Sequence, residues 1–281
     1  VDLNHIYAAG ATVASAGPGI SPRSALHFPD DTREMSLRIG MIDSEVDLSH
    51  PVFAASRIQT RSFVPESAEK PNFHGTAIAS IIAANNTDYV GLAPHTELFA
   101  ASVFEKDPKQ GEIASTLNLI KALDWLISSG VDVINISLAG PPNRLLESAL
   151  DRVAQRGTLI VAAAGNGGPS SEPMYPAAYS AVVAVTAVDA TGRVFRLANR
   201  GKYLDLAAPG VDLLHARAGG GYTSSSGTSF AVPFAATAAA RLVKLHPGDD
   251  VMASLYASAE DRGPLGRDDI YGHGLLHLTS R

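Results

Sequence analysis

Apolar residues in this chain occur in short blocks that alternate with longer segments of helical periodicity. The blocks 36–42, 131–136 and 159–164 are mostly apolar and do not alternate with polar positions. The segment 113–128 instead repeats apolar residues at spacings of three and four. Continuously apolar strands that alternate with helices are typical of a parallel sheet covered on both faces. The pattern therefore predicts an α/β fold of three layers with a mainly parallel sheet.

The first residues do not follow this pattern. Residues 1–35 are rich in Ala, Gly, Ser and Pro and contain chain breakers such as Gly17-Pro18-Gly19. We interpret them as an N-terminal surface arm with at most one short helix. Residues 36–281 contain no repeat, no low-complexity linker and no block of like charge. They are predicted to form one domain.

The composition limits the classes of function. Of the 281 residues, 46% are hydrophobic and 18% are charged, so the chain can bury a sizeable core. The net charge of −6 argues against a nucleic acid as partner. No apolar run reaches the roughly 18 residues that span a bilayer. The chain has no cysteine, which excludes disulfides, thiolate metal sites and a cysteine nucleophile.

The stretch 227–233, Gly-Thr-Ser-Phe-Ala-Val-Pro, places Ser229 just before an apolar helix predicted over 231–245. A serine at the start of a helix is commonly an N-cap. It can also be a nucleophile, held where the helix dipole favours developing negative charge. This stretch alone leaves both interpretations open.

Three polar residues earlier in the chain could supply the partners that a nucleophile needs. Asp43 follows the apolar block 36–42, His74 begins a buried helix, and Asn166 follows the block 159–164. Each could instead be a capping or packing residue. Together they offer a carboxylate to orient an imidazole, a base to accept the serine proton, and an amide donor for an oxyanion.

The chain resembles the subtilisin-like serine proteases in several short stretches that occur in the family's order. Any one stretch is weak, but all of them in one order, from about residue 36 to about 276, are strong support. The stretches that carry the resemblance are Gly40-Met41-Ile42-Asp43-Ser44, His74-Gly75-Thr76, Gly91-Leu92-Ala93-Pro94, Val133-Ile134-Asn135-Ile136-Ser137-Leu138, Ala163-Ala164-Gly165-Asn166, Ala208-Pro209-Gly210, Gly227-Thr228-Ser229 and Tyr271-Gly272-His273-Gly274.

This resemblance implies a serine endopeptidase that acts through an acyl-enzyme. Asp43 would orient the base, His74 would be the general base and acid, and Ser229 the nucleophile. The Asn166 side chain and the Ser229 backbone N–H would bind the oxyanion.

The resemblance also implies where a polypeptide substrate binds. One strand beside the substrate would be Ser137, Leu138, Ala139 and Gly140, and the opposite wall of the first pocket would be Ala163, Ala164 and Gly165. We expect Lys109-Gln110-Gly111 to be the second edge strand, so that substrate binds by β-augmentation.

Further expectations concern partners and metals. We expect no cofactor, no membrane span, and an extracytoplasmic location, secreted or periplasmic, with a pro-segment or protein inhibitor as a possible further partner. The strongest calcium site of the family takes a carboxylate just past a His-Pro pair, and here Val52 stands there. We therefore expect no tightly bound metal. The remaining histidines are interpreted as surface or packing residues.

Two other functions remain open from the sequence. The same site could transfer the acyl group to an amine, as a peptide ligase or cyclase does. The chain could also be a catalytically silent fold that binds peptides, although the presence of all four candidate residues argues against it. An α/β-hydrolase esterase is disfavoured, because no Gly-x-Ser-x-Gly elbow surrounds Ser229.

Overall fold

The computed structural model describes residues 3–9, 13–14 and 18–278. The strands, in chain order, are β1 Ile6–Ala9, β2 Val13–Ala14, β3 Arg38–Asp43, β4 Arg57–Ser62, β5 Glu97–Ser102, β6 Phe104–Asp107, β7 Gly111–Ser115, β8 Val133–Ile136, β9 Leu138–Ala139, β10 Leu159–Ala163, β11 Val183–Val188, β12 Leu204–Pro209, β13 Leu213–Ala216 and β14 Tyr222–Ser226. The α-helices are α1 Pro22–Ala25, α2 Phe73–Ala83, α3 Thr116–Ser128, α4 Arg144–Gln155, α5 Thr228–Leu245 and α6 Val251–Ser258.

A seven-stranded sheet forms the centre of the fold, in the order β12-β11-β10-β8-β3-β5-β4. Every neighbouring pair in it is parallel. Strands such as β8 are buried at every residue, which is why their sequences are continuously apolar. The prediction of an α/β fold with a mainly parallel sheet is confirmed.

The two faces of this sheet bury separate hydrophobic clusters. Successive side chains of a strand point to opposite faces, so Ile39 and Met41 of β3 join one cluster and Ile42 joins the other. The first cluster is covered by α2, α5 and α6, and the second by α3 and α4. None of the helices in the described ranges is long and apolar enough to cross a membrane.

The described part of residues 1–35 is not a surface arm, so that prediction is wrong there. β1 lies inside a second sheet of order β6-β7-β1-β9, and β2 pairs with β14. Tyr7 of β1 is completely buried, because it packs into the cluster beneath α3 and α4. Two short helices lie in this segment instead of at most one, the α-helix α1 and the 3-10 helix Asp30–Arg33. Residues 1–2, 10–12 and 15–17 of the predicted arm, and 279–281 of the predicted domain, lie outside the described residues.

The predicted second edge strand is also displaced. Lys109 and Gln110 lie in the turn of a hairpin, where their backbone N–H groups donate to Asp107 Oδ1 at 2.8 and 2.9 Å. The strand here is β7, which begins at Gly111 and pairs with β6 on one side and with β1 on the other. The Asp107 side chain therefore stabilises a turn at the place where a strand was expected. The helix α3 begins at Thr116, three residues later than the periodicity indicated.

Candidate active site

Asp43 and His74 form a buried pair at the carboxyl edge of the parallel sheet. Asp43 is the last residue of β3, and His74 is the second residue of α2. His74 Nδ1 lies 2.8 and 2.9 Å from the two Asp43 carboxylate oxygens, and Asp43 Oδ1 also accepts from Ser44 N at 2.7 Å. Because a carboxylate only accepts, Nδ1 carries the proton and Nε2 is left to act as a base.

The start of α2 packs very closely against the loop that follows Asp43. Gly75 N donates to Ser44 Oγ at 2.8 Å. A Cβ at Gly75 would collide with the backbone carbonyl of Ser44. Glycine after the histidine is therefore a requirement of this close approach, which holds the imidazole against the carboxylate.

Burial and the neighbouring carboxylate act on His74 in opposite directions. Burial disfavours the imidazolium, whereas the charge of Asp43 and its hydrogen bond favour it, and together they leave the His74 pKa above its ordinary value. His74 Nε2 is buried, and no atom of the described residues forms a hydrogen bond with it. It is therefore available to an incoming proton donor.

Ser229 lies beside this pair but does not contact Nε2 through a hydrogen bond. It is the second residue of α5, after the N-cap Gly227, so the interpretation of Ser229 as the helix cap is wrong. Its Oγ donates to Ser137 O at 3.4 Å. Phe230, the next residue, packs its ring 5.8 Å from the His74 ring, which places the start of α5 against the imidazole.

Asn166 reaches the same place from the end of β10. Its Oδ1 accepts a hydrogen bond from Thr228 N at 3.0 Å, one residue before Ser229. Thr228 Oγ1 in turn accepts from Gly165 N at 3.2 Å. These bonds join the loop after β10 to the first turn of α5. The donor group of the Asn166 amide is Nδ2.

The residues expected to line the substrate cleft lie together around β9. Leu138 and Ala139 form β9, and Gly140 forms a bridge to Tyr175 with N···O distances of 2.8 and 3.0 Å. Ser137 Oγ donates to the Ser229 backbone carbonyl at 3.3 Å. The expected opposite wall is Ala163, Ala164 and Gly165, all buried, at the end of β10, which contacts β9.

The cleft between β7 and β9 is filled by the chain's own β1. β1 runs antiparallel to both strands, with Ala8 opposite Ile113 on one side and Ala139 on the other. Three further bonds fix the segment 3–9: Asn143 Nδ2 donates to Leu3 O at 2.9 Å, Leu117 N to Asn4 Oδ1 at 3.1 Å, and Thr116 N to His5 O at 3.0 Å.

Tyr7 fills a pocket whose wall is Gly140. A Cβ at Gly140 would collide with the Tyr7 ring, so the absence of a side chain there makes the room. Sequence reasoning missed both Tyr7 and β1. The short apolar run Ile6-Tyr7-Ala8-Ala9 was the only signal, and it does not show which strands it joins.

His215 is a packing residue, as the sequence suggested, but it packs behind the active site. Its ring stacks on Phe230 with centroids 5.4 Å apart, and its Nε2 lies 2.9 Å from Ser225 Oγ. Burial lowers the His215 pKa to about 4, so the ring is neutral at ordinary pH. The packing against Phe230 supports the start of α5 beside His74.

The residues present do not fit the family's strongest calcium site. Val52 is fully buried and has no oxygen in its side chain. Asp47 accepts hydrogen bonds from Ser49 and from Gly219 N, which hold its pKa below the ordinary value. Across residues 3–9, 13–14 and 18–278, no group of three or more His, Cys, Asp or Glu side chains could hold a metal.

Comparisons with known proteins show the family to which this chain belongs. The model of the subtilase family, Peptidase_S8, matches residues 35–274. Subtilisin from Bacillus pumilus is 34% identical over 91% of this chain and 94% of its own length, and subtilisin E from Bacillus subtilis is 33% identical over 100% and 74%. A mutant of the PatA protease domain covers 86% of this chain and 92% of its own, with a TM-score of 0.75 and 30% identity. The chain therefore belongs to the subtilase family and is a serine endopeptidase.

Proposed function

We propose that this subtilase cleaves peptide bonds through an acyl-enzyme on Ser229. The buried Asp43–His74 pair carries the proposal, because its Nε2 lacks a partner among the described residues and its ring packs against Phe230 at the start of α5. His74 accepts the serine proton and later donates it to the leaving amine. Asp43 fixes the tautomer and stabilises the imidazolium.

Ser229 must reorient to react. Its hydroxyl donates to Ser137 O in the present structure, and the proposed reaction requires a rotation about χ1 that turns the hydroxyl toward His74 Nε2. The peptide N–H groups in the first turn of α5 and the helix dipole favour the negative charge that develops there. The present hydrogen bond is long, so little is lost when the hydroxyl turns.

Asn166 is proposed as the side-chain donor to the oxyanion. Asn166→Ala should lower kcat by roughly 10²–10³ and leave KM nearly unchanged, because the donor acts only when charge develops; this is the loss known for that donor in subtilisin itself. Steady-state kinetics on one peptide substrate measure both constants.

Asn166→Asp is the matched variant for this prediction. It keeps the shape and the acceptor for Thr228 N, but it replaces the amide donor by an oxygen that repels an oxyanion. We expect kcat to fall at least as far as in Asn166→Ala. A change mainly in KM in either variant would show that Asn166 binds ground-state substrate.

Acyl transfer to an amine would use the same intermediate and remains the second function. Product analysis by mass spectrometry with an added amine nucleophile separates the two. Hydrolysis predicts free acid as the main product at moderate amine concentration. A ligase would give mainly the amide, and a silent peptide-binding fold would give neither product.

Substrate is proposed to bind as an added strand between β7 and β9. β1 supports this, because its backbone already makes both ladders there. We infer that the segment 3–9 acts as an internal pro-segment that competes with substrate.

The activity is proposed to belong to a single domain, 36–281. The enzyme is proposed to act outside the cytoplasm, as the family resemblance implies.

Weakening this segment should activate the enzyme. Tyr7→Ala empties the Gly140 pocket and costs the segment roughly 3–5 kcal/mol of packing, so the cleft opens more often. The initial rate on a small peptide should therefore rise at least tenfold above the rate of the unaltered chain.

Leu3→Ala is the control within the same segment. Leu3 is 69% exposed, and its interaction with Asn143 uses the backbone carbonyl, which alanine retains. We expect its rate to match the unaltered chain. A Tyr7→Ala enzyme that is folded by circular dichroism but is no faster would show that the segment does not compete with substrate.

A further inference from the structure

The register of β1 identifies the part of the cleft that faces Glu112. Along β1 and β7, Ile6, Tyr7 and Ala8 lie opposite Ser115, Ala114 and Ile113. Continuing this register by one residue places the Ala9 position opposite Glu112. Residues directly opposite in an antiparallel pair carry their side chains on the same face, about 4.5–5.5 Å apart at Cβ. A substrate residue at the Ala9 position therefore has its side chain beside Glu112.

This face of the strand is the inner one. A substrate residue at the Ala9 position is two residues from the position of Tyr7 and therefore shares its face, as Glu112 shares the face of Ala114. Tyr7 and Ala114 are both buried, at 0% and 1% exposure. Glu112 is half-buried, and its charge acts on both His74 and Asp43. The carboxylate thus lies on the wall of the cleft, within electrostatic reach of His74 and Asp43.

Glu112 has no cation of its own in the described part of the chain. Lys106 is its register partner across the hairpin, but the Lys106 ammonium forms an ion pair with Glu69 at 2.7 Å. In the described part of the chain, two cations act on Glu112: Lys106 and, when it is protonated, His74. Burial, the leading cause, raises the Glu112 pKa, and Asp43 adds to this. Such a carboxylate gains most from a positive charge brought by a ligand.

We propose that Glu112 is a specificity-determining residue that selects a lysine or arginine side chain at the substrate position occupied by Ala9. This inference rests on the proposed binding of substrate between β7 and β9. A cation at this substrate position would give Glu112 an ion pair, which Lys106 forms with Glu69 instead. A glutamate at the same substrate position would be repelled by Glu112 and by Asp43.

Internally quenched peptides test the proposal on the full chain. Three peptides contain Tyr and, two residues later, Lys, norleucine or Glu; norleucine has nearly the same length as Lys without the charge. For each enzyme, kcat/KM is compared between peptides, so competition by the segment 3–9 cancels in the ratio. We expect Lys to exceed norleucine about tenfold and Glu to be the poorest, with the Lys preference shrinking at high salt.

Glu112→Gln should bring the ratio of Lys to norleucine close to one. Glu105→Gln is the matched control, because Glu105 lies in the same hairpin opposite Ile113 and hence on the other face. It should keep the ratio of the unaltered chain. A ratio near one in the unaltered chain, or an undiminished ratio in Glu112→Gln, overturns the proposal.

The outcomes also separate this inference from the proposed function. Cleavage of the norleucine peptide without any preference for Lys would contradict the role of Glu112 but would support the proposed endopeptidase activity. If none of the three peptides is cleaved, both the role of Glu112 and the proposed endopeptidase activity are contradicted. The comparison of the Lys, norleucine and Glu peptides in the unaltered chain tests the predicted preference for a cation even if Glu112→Gln does not fold.

Discussion

Replacing Ser229 by alanine is expected to lower kcat by about 10⁶-fold, which is the loss that removal of this nucleophile causes in subtilisin itself. The reason is chemical: without the hydroxyl no acyl-enzyme forms, and the buried Asp43–His74 pair has no proton to accept. The residual rate would come from the oxyanion donors and substrate binding alone. Single-turnover and steady-state kinetics on a peptide measure the loss.

Ser254→Ala is the control for this substitution. Ser254 lies exposed in α6, and its hydroxyl donates to Asp250 O within the same helix end. Its removal should leave kcat within about twofold, as surface substitutions usually change little. A Ser229→Ala protein that retains more than a few per cent of the activity would show that another residue is the nucleophile.

Replacing Asp43 by asparagine is expected to lower kcat by roughly 10⁴-fold with little change in KM. The amide can hold His74 in the wrong tautomer, with the proton on Nε2, and it cannot stabilise the imidazolium. The effect is smaller than that of Ser229→Ala because the nucleophile and the base both remain.

The pH dependence of the residual activity provides a second readout for Asp43. His74 must be neutral to act as a base, so kcat/KM rises with pH through the His74 pKa. The Asp43 carboxylate raises that pKa, so the step should lie above the ordinary value of about 6.5. Removing the negative charge should move the step to lower pH.

Asp47→Asn is the matched control, since Asp47 lies four residues further along the same loop and its carboxylate accepts from Ser49 and Gly219 instead. It should keep both kcat and the position of the step. An Asp43→Asn enzyme whose step stays in place, or moves to higher pH, would contradict the account of the pair.

The sequence predicted the fold and the four catalytic candidates because each depends on local order along the chain. Buried parallel strands are continuously apolar, and Asp43 and Asn166 follow two of them directly. His74 and Ser229 begin helices whose first turns meet at the same edge of the sheet. Parallel strands have their carboxyl ends at the same edge of the sheet, so residues that directly follow such strands in the sequence lie close together in space.

The occupant of the cleft could not be predicted in this way. β1 has only four residues, and its ladder partners β7 and β9 lie more than 100 residues away along the chain. A run such as Ile-Tyr-Ala-Ala has no alternation of polar and apolar residues that would indicate a strand between two others. Its burial depends on Gly140, whose missing side chain makes room for Tyr7.

The hairpin β6–β7 was missed for a related reason. Its residues 105–107 are polar and 109–110 look like a loop, yet the Asp107 side chain closes the turn and lets Gly111–Ser115 pair. The periodicity of α3 also extends back into β7, so the strand was assigned to the helix. That displacement concealed Glu112, which lies in β7.

The most direct test of the central claim is mass spectrometry of the full chain after reaction with a small fluorophosphonate. An activated Ser229 beside His74 predicts one adduct, on the peptide that contains Ser229, and none in Ser229→Ala or, at neutral pH, in His74→Ala. Ser254→Ala should react like the unaltered chain. An adduct on a different serine, or no adduct on a folded preparation at any pH between about 6 and 9, would contradict Ser229 as the nucleophile of this endopeptidase.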